Sequence, residues 1–269
     1  MLNDRQLPDG NRLSVLVATI LLAYALTRVI ALPPYTLQAS LLGREFELHL
    51  EASLLAPFLT AGLMATGMDW LLRNHPGLGA KGRPEHLVLP ALTAWVAGLL
   101  IYSLADSPAW WVAFALAALL LVGVIYAEYI AVESGDIRYG LASALLTGLA
   151  FVLFLLVAVA LRTVGVRLFI LLPILFMAAW LATLRTLRLR LRGRWEYGWA
   201  TGIALALTQL AAALHYLPLT PLRYGLVILA PAYALAALAA NLREDLPVRQ
   251  SLTEPLVTLF IVWGLALVI

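Results

Sequence analysis

The sequence predicts an all-α polytopic membrane protein with about nine transmembrane helices, and three observations carry that prediction. Nine apolar runs, over 13–32, 52–72, 87–104, 109–131, 139–161, 166–184, 197–216, 224–241 and 253–268, approach the length needed to cross a bilayer. That length is roughly 20 residues at about 1.5 Å rise each. Composition agrees: of 269 residues 63% are hydrophobic and 12% charged, and the mean hydropathy is +0.92. The polar stretches 1–12, 33–51, 73–86, 185–196 and 242–252 are no longer than connectors, so the chain reads as one integral membrane domain over 1–269.

Charge placement gives the orientation. With the N-terminus cytoplasmic, the inner segments hold Arg5, Arg12, Arg73, Lys81, Arg83, Arg138, Arg185, Arg188, Arg190, Arg192, Arg194, Arg243 and Arg249. The outer set is Arg28, Arg44, Arg162, Arg167 and Arg223. Thirteen of 18 cationic residues therefore lie inside, as short cytoplasmic loops require. The five arginines of Arg185–Arg194 form the dominant anchor and suit anionic lipid headgroups. The net charge is +3 and the pI about 9.3. That charge follows membrane topology and forms no groove, which excludes a nucleic-acid partner. Absence of cysteine excludes disulfides, thiolate catalysis and Cys-ligated metals. Together with the basic loops it fits a prokaryotic inner membrane.

The first run follows a polar, mixed-charge segment and lacks a small-residue cleavage site, so it reads as a retained helix. Arg28, about one turn from its outer end, can snorkel to headgroups. Over 33–51 the pattern alternates: Leu37, Ala39 and Leu41 precede Gly43-Arg44, then Phe46, Leu48 and Leu50 interleave with Glu45, Glu47, His49 and Glu51. Period-two alternation around a glycine turn predicts a short extracytoplasmic β-hairpin. An isolated hairpin is marginal, so it must dock on the bundle or the headgroup zone.

Near the inner end of the second run lies Asp69, four residues before Arg73, a spacing that pairs them on one helix face. In the loop that follows, His75, Glu85 and His86 are weak candidates for a metal site with Asp69, because no HExxH-type spacing fixes them. The glycines there form no phosphate loop. Glu128 lies about a turn from the inner end of the fourth run, at a depth similar to Asp69, and Arg138 follows nearby. Charges inside a bilayer are default functional candidates. Asp69, Glu128, Arg73 and Arg138 are therefore the candidate ion site, where two close carboxylates would share a proton.

Residues 138–186 align without gaps on 196–244, an offset of 58, with 15 of 49 positions identical. Ten of these are Leu or Ala; the informative matches are Tyr139/Tyr197, Gly140/Gly198, Ile170/Ile228, Pro173/Pro231 and Arg185/Arg243. Both copies begin inside, which predicts a parallel helical-hairpin repeat within 138–244. Each proline removes a helix hydrogen bond and can kink its helix. The alanines of the second copy allow close helix approach. Gln209 and His215, with Arg28, form the candidate outer polar site.

No catalytic or cofactor signature appears, and no cofactor is expected. Prenyl transfer on a magnesium diphosphate needs two Asp-rich motifs, absent here, and retinal binding needs a span lysine, whereas the only lysine is Lys81. Two classes remain. One is a transporter or permease-like protein for a small or apolar solute. The other is a non-catalytic scaffold or accessory subunit with a protein partner or a second copy of itself.

Overall fold

The computed structural model describes residues 8–29, 35–41, 44–50, 52–73, 75, 85–104, 107–244 and 247–269, with the side chains of 35–55 outside the description. The described helices are α1 (Gly10–Val29), α2 (Ala52–Leu72), α3 (Glu85–Ser103), α4 (Ala109–Ala131), α5 (Tyr139–Val164), α6 (Leu168–Arg190), α7 (Tyr197–Leu214), α8 (Pro221–Arg243) and α9 (Val248–Val268). Between α1 and α2, β1 (Tyr35–Leu41) and β2 (Arg44–Leu50) pair antiparallel, with Leu37 opposite Leu48 and Ala39 opposite Phe46. Their connecting turn lies outside the described residues.

Seven helices among the described residues, α3 to α9, are long and apolar enough to cross a membrane. The chain is a multi-pass membrane protein. The nine spans expected from sequence are thus seven by this criterion: α1 offers a shorter apolar stretch, Gly10–Leu26. The first turn of α2 lies among side chains not described.

Helix ends depart from the apolar runs where charge and backbone part company. Hydropathy stops at 184, but α6 continues to Arg190, because Arg and Leu are good helix formers and hydrogen bonding does not require apolar side chains. The expected connector 185–196 is therefore two helical turns followed by a tight exit. Arg192 (φ 50°) and Gly193 (φ 96°) adopt left-handed backbone there, and the Gly193 N–H closes on the Arg188 carbonyl at 2.8 Å. At the start of α8, Thr220 Oγ1 accepts the Arg223 N–H at 3.3 Å and Pro221 occupies the first turn.

The two hairpins aligned by the 58-residue offset share their openings, since Tyr139 and Tyr197 each begin a helix. They differ beyond it: α5 has 26 residues and α7 has 18. The returning helices α6 and α8 have 23 residues each but start at Leu168 and Pro221, 53 apart instead of 58. Pro173 is consequently the sixth residue of its helix and Pro231 the eleventh.

Two compact units divide the chain, Met1–Ala142 and Ser143–Ile269. In the first, Leu16, Ile20 and Tyr24 of α1 bury against Met64, Met68 and Leu71 of α2, with Ala94, Ile101, Leu121 and Ile125 of α3 and α4. Tyr24 Oη donates to the Ala94 carbonyl at 2.6 Å, tying α1 to α3. In the second, the α8 alanines Ala230, Ala232, Ala236, Ala237, Ala239 and Ala240 are almost wholly buried. Small side chains let neighbouring helices gain dispersion contacts, the main cohesive term where lipid is as apolar as the core. Gly225 shows this: a Cβ there would meet Leu155 Cδ1 of α5 at 2.7 Å. Trp263 Nε1 of α9 donates to the Val227 carbonyl of α8 at 3.1 Å.

Candidate functional site

In the first unit α3 begins where α4 ends, which places residues one turn inside each terminus side by side. His86, the second residue of α3, and Glu128, four from the end of α4, meet there. Their Nδ1–Oε2 separation is 2.8 Å, and the side chains are 3% and 0% exposed. A fully buried carboxylate beside an imidazole is a costly arrangement unless each satisfies the other. His75, itself buried, packs its ring edge-on against Tyr129 at 4.4 Å and lies within electrostatic reach of His86 and Glu133.

Burial lowers the proton affinity of His75, and nearby His86 lowers it further, while Glu133 and the Tyr129 backbone work the other way. Its folded value lies below the ordinary 6.5. Stability from keeping His75 neutral is therefore complete above that ordinary value and lost as pH falls through the folded one. Thermal unfolding in detergent from pH 8 to pH 5 should show a falling midpoint in the wild type and a flatter profile in His75→Gln. Parallel profiles would refute the assignment.

The sequence paired Asp69 with Glu128 by depth, but the structure gives each a different partner. Asp69 Oδ2 accepts from Arg73 Nη2 at 2.6 Å and Nε at 2.9 Å. Arg138 lies in an exposed turn, where its backbone N–H donates to Asp136 Oδ1 at 2.8 Å. Among the described residues no group of three or more His, Asp or Glu side chains is placed to hold a metal; His75, Glu85 and His86 do not form one. Arg28 lies over the Trp110 ring at 4.7 Å. Gln209 is exposed on α7, and His215 caps that helix, its carbonyl accepting Arg162 Nη1 at 2.7 Å.

The second unit holds ion pairs that sequence reasoning missed. Arg190, the last residue of α6, binds the Glu254 carboxylate of α9, and Tyr233 of α8 joins both: Arg190 Nη2 donates to its hydroxyl at 2.8 Å, which donates to Glu254 Oε1 at 2.8 Å. Arg243, the last residue of α8, donates through Nε to Glu196 Oε1 at 2.8 Å, at the N-cap of α7. The available signal was Glu254 itself, a carboxylate inside an apolar run. Of the arginines expected to face headgroups, Arg185 and Arg188 are buried, with Arg188 over the Trp195 ring at 4.5 Å. Arg192 and Arg194 are exposed.

A shallow concavity of about 500 Å³ lies along α7, lined by Gly198, Trp199, Gly202, Ile203, Ala206 and Leu235. A Cβ at Gly198 or Gly202 would meet open space.

The family model for a protein of unknown function (DUF5656) matches residues 32–269, so the chain belongs to that family, and α1 precedes the matched region. Neither the curated proteins nor the solved structures contain a match.

Proposed function

We propose that this member of the family is a proton-linked, permease-like transporter of a small or apolar solute in a cell membrane, with the His86–Glu128 pair as its proton-handling site. The buried imidazole–carboxylate pair carries this reading, because ionisable groups at membrane depth are costly and recur in proton relays. An imidazole and a carboxyl group can each hold or release a proton, and a contact of 2.8 Å is within the reach that proton transfer requires. His75, Tyr129 and Glu133 extend the polar surroundings toward the end of α4, and Glu85 neighbours His86 along α3.

In this reading all nine helices cross the membrane with the N-terminus cytoplasmic, supported by the thirteen-to-five arginine and lysine bias. The β1–β2 hairpin is then extracytoplasmic, a lid over the outer end. The shared Tyr-Gly openings of α5 and α7 support a parallel repeat whose outer turns diverged in length. Exposed Arg192 and Arg194, beside Trp195 and Tyr197, suit anionic headgroups at the inner face of a prokaryotic inner membrane.

The test is collapse of an imposed pH gradient across proteoliposomes, followed with a pH dye sealed in the lumen. Wild-type vesicles should relax faster than empty ones. Glu128→Gln should slow relaxation by about a hundredfold, the low end for losing a proton-transfer group, and Asp69→Asn should leave it unchanged. Equal rates with and without Glu128 would end this reading. A scaffold role is the second reading, favoured by the open small-residue face of α7, where a partner helix could approach Gly198 and Gly202 closely.

A further inference from the structure

The two ion pairs of the second unit share a geometry that neither has alone. The helices α6 and α7 form one hairpin through the turn 191–196, and the consecutive, packed helices α8 and α9 form another. Each hairpin contributes an arginine as the final residue of its first helix, Arg190 or Arg243. Each also contributes a glutamate at or near the start of its second helix, Glu196 or Glu254. The pairing is crossed: Arg190 of the first hairpin holds Glu254 of the second, and Arg243 of the second holds Glu196 of the first. Both bridges therefore join one hairpin to the other, and neither braces a hairpin internally.

What holds each hairpin together is of a different kind. The α8–α9 pair is fixed by Asn241 Nδ2 on the Ser251 carbonyl at 3.2 Å and by Trp263 on the Val227 carbonyl. The α6–α7 pair is fixed by Trp180 Nε1 on Thr201 Oγ1 at 3.1 Å, with the Trp180 ring stacked on Tyr197. Within the α6–α7 hairpin Arg194 also reaches Glu196, at 3.9 Å, so what sets the crossed bridges apart from the packed contacts inside each hairpin is that they are partly exposed and join the two hairpins. Side-chain exposure is 22% and 43% for Arg190 and Glu254, and 40% and 10% for Arg243 and Glu196. Partly solvated pairs are individually weak and can exchange for water at small cost. Tyr233 of α8 bridges one of them, accepting from Arg190 and donating to Glu254, so Glu254 has a second hydrogen-bond partner within its own hairpin.

We infer that the crossed pairs Arg190–Glu254 and Arg243–Glu196 form an ionic clasp that opens and closes this end of the second unit by parting the α6–α7 hairpin from the α8–α9 hairpin. The inference stands on this unit alone and does not depend on proton-linked transport. Opening exposes the layer beneath the clasp, where Ala200 of α7, one turn beyond Glu196, is wholly buried. The far end of α7 stays closed, where Ala211 is equally buried and its carbonyl accepts the Tyr224 hydroxyl at 3.2 Å.

The chain has no cysteine, so a single introduced thiol reports its site without background. Ala200→Cys and, separately, Ala211→Cys are placed in the full chain, purified in detergent and reacted with a maleimide. Neutralising both acids, Glu196→Gln with Glu254→Gln, should raise the reaction rate at position 200 on the order of tenfold, as expected for two partly exposed pairs. The rate at position 211 should not change. Exchanging the charges of one pair, Arg190→Glu with Glu254→Arg, keeps a bridge and should return the position-200 rate toward the parent value. An unchanged rate at 200 overturns the clasp. Equal rises at 200 and 211 overturn it as well, because they mean general loosening, and so does an exchange variant that reacts as fast as the neutralised one.

Discussion

Replacing His86 with leucine is expected to destabilise the first unit by about 3–5 kcal/mol, the typical loss when one partner of a buried pair is removed. The Glu128 carboxylate is 0% exposed, so no water replaces the lost imidazole at 2.8 Å. The loss comes from burying the Glu128 carboxyl without its imidazole neighbour more than from the bond itself, and this distinction can be measured. Glu128→Gln keeps the volume and one hydrogen-bonding contact with His86, so it should cost about 1–3 kcal/mol. The double variant His86→Leu/Glu128→Leu removes both polar groups and should recover most of the loss in His86→Leu. Reversible unfolding in mixed detergent micelles of the wild type, His86→Leu, Glu128→Leu and the double leucine variant gives all four corners of the cycle. Additive single losses would show that the two side chains act independently, against the 2.8 Å contact.

This cycle also separates stability from transport. If the pair is kept for proton handling, the double leucine variant should be folded and nearly as stable as the wild type while no longer relaxing a pH gradient. Burial of an ion pair is weak evidence for stability, since apolar replacements often do as well. The presence of a buried His86–Glu128 pair then needs another cause, and chemistry is the one proposed.

The fold class was legible because lipid imposes it: every apolar run long enough to span must satisfy its backbone internally, and helices do that locally. Helix ends were less legible. Hydropathy reports where side chains prefer lipid, so it missed that α6 runs on through Arg185 and Arg188 to Arg190. The candidate site was half legible. Glu128 stood out as a charge in an apolar run, but depth alone suggested Asp69 as its neighbour, whereas consecutive antiparallel helices bring His86 to it. Assigning His86 to the preceding loop, one residue short of the apolar run at 87, hid the pair. The crossed bridges were illegible for a different reason: Glu254 sits one 58-residue offset on from Glu196, but their partners Arg190 and Arg243 are 53 residues apart and fall off that offset.

The second large effect is expected at Gly98 of α3, where space and not charge is limiting. A Cβ there would meet Tyr24 Cε1 at 3.1 Å, Thr60 Oγ1 at 3.3 Å and the Pro57 Cα at 3.4 Å. None of these atoms yields easily. The Tyr24 ring is 1% exposed and held by its bond to the Ala94 carbonyl, Thr60 is tied to the Pro57 carbonyl at 2.9 Å, and the Pro57 atom is backbone. Gly98→Val adds a Cβ and two methyl groups to this contact and should cost about 3 kcal/mol, the upper end for overpacking a filled core. Gly98→Ala should cost less, because the gain in helix propensity of roughly 1 kcal/mol offsets part of the strain. Gly62→Ala on α2 is the control: its added Cβ meets nothing within 4 Å, so only the propensity term remains and stability should hold or rise. Unfolding midpoints of the three variants decide the matter. Equal responses at positions 98 and 62 would mean that the neighbours of Gly98 give way, whereas a loss confined to 98 means that α1, α2 and α3 approach there as closely as their backbones allow.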